Sequence, residues 1–141
     1  MRNIILAKIQ SIQRCVNRAR EERLASDGNF TEDYTRQDAA TLNLLRACET
    51  AVDLANYVLK NYKIGIPDSS SDSFRLLRDK EIIQADLATK MVRMVNLRNH
   101  IVHQYQNIDV ARIDTVIRDH MDTFLEYTEA ILAYVNQPDA E

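Results

Sequence analysis

Residues 44–59 read LLRACETAVDLANYVL, and the spacing within this stretch decides the kind of fold. Leu45, Cys48, Val52, Ala55 and Leu59 recur at intervals of three and four, and a second stripe of Leu44, Ala47, Ala51, Leu54 and Val58 lies beside the first. Such intervals follow the 3.6-residue period of an α-helix, and the doubled stripe makes a face wide enough to be buried against more than one neighbour. The helix is expected to begin between Thr31 and Asp38, with Thr35 or Thr31 as its cap, and to run to about Lys60 before Gly65 and Pro67.

The same period extends in both directions. Ile5, Ile9, Ile12, Val16 and Ala19 form one stripe of a first helix from about Asn3 to Arg23. SDGNF then breaks it, with Gly28 free to take positive φ. Downstream, Ser69 to Ser71 offer caps for a brief helix containing Phe74, Leu76 and Leu77. A third long helix covers about Gln84 to Gln104, with Leu87, Met91, Met94 and Ile101 on one broad side. A fourth starts after Asp109, a good N-cap, and carries Val110, Ile113, Ile117, Met121, Phe124, Thr128, Ile131 and Val135 in phase, leaving Pro138 in a frayed tail. The expected fold is all-α: an antiparallel up-and-down bundle of four long helices plus one short helix, in one domain spanning residues 1–141.

Composition agrees. A chain of 141 residues with 45% hydrophobic residues can bury a core without staples, and two glycines with two prolines cannot supply the turns of a sandwich or barrel. The apolar runs are too short to span a membrane, and MRNIILAKIQSIQRC, charged at Lys8 and without a small-residue cleavage pattern, does not read as a signal peptide. Cys15 and Cys48 both fall in periodic helical segments and are expected as core thiols in a reducing cytoplasm rather than as a disulfide. The sequence has no CxxC, no HExxH and no Gly-rich phosphate loop, and its three histidines lack metal-ligand spacing, so no metal and no cofactor are expected.

The formal net charge of −3 is segregated: +4 over residues 1–23, −4 over 24–74, +3 over 75–98 and −6 over 99–141. Nucleic-acid binding would therefore rely on a local patch, and the acidic surface is open to a protein partner.

The chemically informative string is Arg98-Asn99-His100-Ile101-Val102-His103-Gln104-Tyr105. On a helix Asn99 and His103 stack i to i+4, and Arg98 and Tyr105 line up two turns apart if the helix continues that far. Arg98 suits a phosphate fork and the stabilisation of growing negative charge, and His103 suits proton transfer near neutral pH. RNA brings its own nucleophile, the 2′-hydroxyl, so neither a metal nor a nucleophilic side chain is required. One histidine per chain is thin for both acid and base work, and two facing chains would supply two. A purely structural role also fits Arg and His near a helix C-terminus, where they interact with the dipole, and Tyr105 could equally pack at a helix end with its hydroxyl in water. His100 reads as a helix-surface group, and His120, among Asp119 and Asp122, as solvated or packed.

Arg98, four residues, His103, one residue and Tyr105 match in full the Arg-x4-His-x-Tyr motif of the HepT toxins, minimal members of the HEPN superfamily, and the chain resembles that family closely. The resemblance extends to QRC at Gln13–Cys15, to FTEDYTRQDAATLNLLRACE, and to GIP followed by SSSDSF, and so takes in nearly the whole chain. It implies an all-helical homodimer with the motifs in a cleft at the two-fold interface. It also implies a metal-independent ribonuclease acting on mRNA or tRNA, with Arg98 and His103 catalytic and Asn99 supporting. Such toxins are encoded beside a nucleotidyltransferase antitoxin, MntA, which transfers AMP from ATP to the motif tyrosine, here Tyr105. In physical terms the added phosphates would compete with RNA for the Arg98 fork. The alternative is a non-catalytic subunit whose groove binds nucleotides or the nucleotidyltransferase, or a plain structural dimer.

Overall fold

The structure is a computed structural model that describes residues 1–138, so Asp139 and Glu141 of the acidic C-terminal stretch, and the last three residues of the expected domain, lie outside the described residues. Six helices follow one another: α1 (Arg2–Ala25), α2 (Tyr34–Asn61), α3 (Ser70–Asp79), α4 (Ala85–His103), α5 (Val110–Asp119) and α6 (Asp122–Val135). None is long and apolar enough to cross a membrane.

The most extensive pairing is α1 with α2. They run antiparallel: Glu22 near the end of α1 holds Arg36 at the start of α2 (2.8 Å), while Lys8 lies over the ring of Tyr57 (6.0 Å) at the other end. α6 returns along α1 in the opposite sense, since Arg20 reaches Asp122 and Arg2 reaches Asn136. α2 and α6 therefore run in the same direction, both against α1.

The wide face of α2 forms the centre. Leu44, Ala47, Ala51, Leu54, Ala55 and Val58 are fully buried, together with Ile5, Ile12 and Val16 of α1 and Ile113, Phe124 and Ile131 of α5 and α6. Each large aliphatic side chain removed from water in this way contributes about 1.5–3 kcal/mol. Tyr127, wholly buried, donates its hydroxyl to the Ala51 carbonyl (2.8 Å) and packs edge-to-face on Phe74, with ring centroids 5.5 Å apart. Burial pushes its phenol well above the ordinary range. Cys15 and Cys48 are free and buried, and burial pushes the Cys48 thiol up to about 12.

Two features differ from the sequence expectation. The fourth long helix is broken into α5 and α6 at His120 and Met121. There the i-to-i−4 ladder gives way to tighter bonds, from the Thr123 amide to the His120 carbonyl and from the Phe124 amide to the Met121 carbonyl, both 3.2 Å. Ile117, Met121 and Phe124 stay buried through the break, so the apolar period keeps its phase and carries no mark of it. Among the described residues the bundle therefore has six helices rather than four long and one short. The cap of α2 is neither Thr31 nor Thr35 but Asp33, whose carboxylate accepts from the Arg36 amide (3.1 Å). Thr31 lies in the turn that Asn29 closes onto Glu32 and Asp33, and Thr35 is already inside the first helical turn.

Helix ends explain the scarcity of glycine. Gly28 takes positive φ as expected, but α2 and α3 end on left-handed Lys63 and Glu81. Each closes a paired C-terminal motif: the Ile64 amide reaches the Leu59 carbonyl and the Ile82 amide reaches the Leu77 carbonyl, both at 2.9 Å. At the other end of α3, Ser69 is the cap that the serine run offered, accepting from the Asp72 amide (3.0 Å).

Candidate active site

α4 presents its buried stripe of Leu87, Met91, Met94, Leu97 and Ile101 to the core, which turns Arg98 towards α2 and leaves His103 exposed on the last turn. The Arg98 guanidinium is tethered on two sides. Its Nε donates to Oε1 of Glu49 on α2 (2.7 Å), and its Nη1 donates to Oδ1 of Asn99 (3.0 Å). The Arg98 and Glu49 side chains stay about a third and less than half exposed, so the pair adds little stability, about 0–1 kcal/mol. What it fixes is direction: with the Nε edge occupied, Nη2 and the remaining Nη1 hydrogen are left to grip a phosphate end-on. Periodicity did not reveal Glu49. Its one sequence signal is a charge bordering an otherwise apolar double stripe, and the identity of its partner needs the tertiary fold.

The helix ends at His103, so Arg98 and Tyr105 do not line up along one helical strip as a longer helix would have placed them. Gln104 leaves helical geometry at φ −123°, and the chain turns back, with the Asn107 amide bonded to the Gln104 carbonyl (2.8 Å). Tyr105 sits on this turn, 70% exposed, its phenol oxygen met only at 3.5 Å by Nε2 of Gln106. One side of Tyr105 borders a groove of about 430 Å³ between the turn and the first half of α2, floored by Leu42, Leu45, Ile101 and Ile108.

His100 gains a definite job. Its carbonyl accepts the Gln104 amide (2.8 Å) where the turn begins, and its Nε2 accepts the Asp109 amide (3.1 Å) where the turn ends. Asp109 in turn caps α5, accepting from the Arg112 amide (3.2 Å). A single residue thus staples both ends of the segment that carries Tyr105. His120, by contrast, is an exposed residue at the end of α5. No group of three His, Cys, Asp or Glu among the described residues is placed to hold a metal ion.

The end of α4 thus gathers a half-exposed, oriented guanidinium, an amide beside it, an exposed imidazole and an exposed phenol. Among known proteins, a family model described as Ribonuclease HepT-like matches residues 5–131. The chain is 38% identical over 134 residues to the mRNA nuclease HepT of Shewanella oneidensis, a match covering 94% of this chain and 99% of that protein. It is 22% identical over 132 residues to the tRNA nuclease HepT of Aphanizomenon flos-aquae, covering 94% and 90% of the two chains. Its fold superposes with a TM-score of 0.87 on the tri-AMPylated Shewanella oneidensis HEPN toxin in complex with MNT antitoxin, at 37% identity over 94% of this chain and 99% of that one. The resemblance carried by the Arg98–His103–Tyr105 motif is borne out, and the chain belongs to the HepT-like ribonuclease family.

Proposed function

We propose that this chain is the toxin of a type VII toxin–antitoxin pair: an endoribonuclease acting on mRNA or tRNA and silenced by transfer of AMP to Tyr105. The observation that carries the reading is the gathering of Arg98, His103 and exposed Tyr105 at one end of α4. Arg98 binds the scissile phosphate through its free Nη edge. The RNA 2′-oxygen attacks the adjacent phosphorus and loses its proton, and the bond to the 5′-oxygen breaks. The leaving oxygen takes a proton, so the products are a 2′,3′-cyclic phosphate and a 5′-hydroxyl. His103 moves one of these protons, and His103 of a second copy moves the other. Leu42 and Val102, large apolar side chains 45% and 38% exposed on α2 and α4, support a homodimer that brings the two motifs into one cleft.

For silencing, the Tyr105 phenol oxygen attacks the α-phosphorus of ATP bound to the partner nucleotidyltransferase. An O–P bond forms, pyrophosphate leaves and the phenolic proton is lost. The added phosphate then stands at the end of α4 as an anion that competes with RNA there. The test is expression with and without the neighbouring nucleotidyltransferase gene, following growth, RNA integrity and intact mass. Growth arrest and RNA breakage should occur for the chain alone. Rescue should accompany one or more AMP additions mapped to Tyr105, and Tyr105→Phe should escape both. AMP mapped elsewhere, or rescue of an active Tyr105→Phe by the partner's catalysis, would defeat the assignment.

A further inference from the structure

On the other side of α4 from Glu49 lies a trough between α4 and α5, of about 250 Å³. Lys90, Arg93, Met94 and Leu97 form its α4 wall at helical spacing i, i+3, i+4 and i+7, and Arg112 and Val116 stand opposite on α5. Met94, Leu97 and Val116 make an apolar floor, and the cations stand on both lips. Arg93 and Arg112 are exposed, and neither has an ion-pair partner among the described residues; Lys90 is held loosely by Asp86 at 3.3 Å. A second groove of about 260 Å³ shares Arg93 and adds Arg75 and Arg78 from α3. Among the described residues, no carboxylate lines either one. Grooves elsewhere on the molecule contain Asp27 and Asp114, or Asp38, or Glu81, Asp86 and Glu126.

This arrangement sits in a chain whose net charge is −3, so attraction for a polyanion has to be local. The trough also points at the candidate active site. α4 and α5 are joined by residues 104–109, the segment stapled by His100, so Leu97 and Arg112 stand at the end next to Arg98 and His103, and Lys90 stands at the far end. From Lys90 to Leu97 the α4 wall is about 10 Å long at 1.5 Å per residue. An apolar floor between cationic lips takes a base on its face while the lips track the phosphates.

We propose that the α4–α5 trough is a binding subsite for the single-stranded RNA backbone flanking the scissile phosphate, with Arg93 and Arg112 as its phosphate-gripping residues. The proposal rests on the reading of the chain as an RNA-acting protein and adds to it the path of the strand.

The test measures binding of a fluorescent single-stranded RNA methylated at every 2′-oxygen, which cannot be cut by the 2′-oxygen route, over a series of KCl concentrations. Arg93→Gln with Arg112→Gln should weaken binding by about tenfold or more and flatten the salt dependence by about 0.7 in log–log slope per lost contact. Arg93→Lys with Arg112→Lys should restore most of that slope. Urea midpoints should not move, because both side chains are exposed. Cleavage of a diribonucleotide, too short to enter the trough, should be unchanged by the Gln pair, while cleavage of long RNA should show a raised KM. Unchanged affinity and slope for the Gln pair would overturn the proposal. So would intact RNA binding combined with loss of the nucleotidyltransferase complex, which would give the trough to a protein partner. If the wild-type chain cuts no RNA yet the Gln pair still loses binding, the trough stands and the nuclease reading fails. If the wild type cuts RNA and the Gln pair binds and cuts long RNA equally well, the nuclease reading stands and the trough fails.

Discussion

The α1–α2 hairpin and the end of α4 are built on opposite principles. In the hairpin, every residue of the α1 stripe is buried, α2 buries its double stripe except for the half-buried Leu45 and Val52, and the polar contacts lie at the ends. At the end of α4 the reverse holds. Arg98, Asn99 and His100 are half-buried, His103 and Tyr105 are exposed, and direction comes from a few hydrogen bonds through Glu49, Asn99 and His100. Stability and the proposed chemistry are thereby separated: apolar area holds the bundle, and half-buried polar tethers aim the candidate reacting groups. Substitutions in one region should leave the property of the other nearly intact.

The largest effect belongs to the core. Phe74→Ala, at a site fully buried against Tyr127, should cost about 3–5 kcal/mol in urea denaturation. Cleavage per folded molecule should be unchanged. Arg98→Ala should do the opposite, removing about 3 kcal/mol of transition-state stabilisation in kcat/KM while the urea midpoint stays within the small value of an exposed ion pair. Glu49→Gln should slow cleavage less than Arg98→Ala does, again with little change in stability. Coupled losses of stability and rate in these variants would break the separation.

Alkaline pH sharpens it further. The Cys48 thiol is raised from an ordinary 9.0 to about 12 by burial, so the folded state binds this proton more tightly than the unfolded state. Its contribution is complete below about pH 9 and is lost as pH rises towards 12, where Tyr127, also raised, adds to the loss. Denaturation midpoints should fall over that window, and Cys48→Ala should flatten the fall. Iodoacetamide should label Cys48 only after unfolding. The smallest effect is a gain: Glu81→Gly relieves a left-handed φ of 61° and should add about 0.5–1 kcal/mol to stability without touching the site.

Much of the scaffold was readable in the sequence because burial imposes period. The stripes of α1, α2 and α4, the Ser69 and Asp109 caps and the turn at Gly28 all appear where spacing and cap chemistry put them. The α5–α6 break was not readable, because Met121 keeps the stripe in phase across it. The Asp33 cap was missed because three candidate side chains stand within five residues and only the closed turn at Asn29 chooses among them. At the candidate site, the motif spacing singled out Arg98, His103 and Tyr105. It did not reveal Glu49, which lies 49 residues upstream of its partner, or the bond from the Asp109 amide to His100, which exists only because the helix stops at His103.

The most direct test is end-group analysis of RNA incubated with the purified protein in EDTA, for the wild type and for His103→Ala. The wild type should cut without added metal and leave 2′,3′-cyclic phosphate and 5′-hydroxyl ends, while His103→Ala, with an unchanged urea midpoint, should leave the RNA whole. Cleavage that requires a divalent metal, or cleavage by His103→Ala at the wild-type rate, would contradict the assignment of the chemistry to the end of α4.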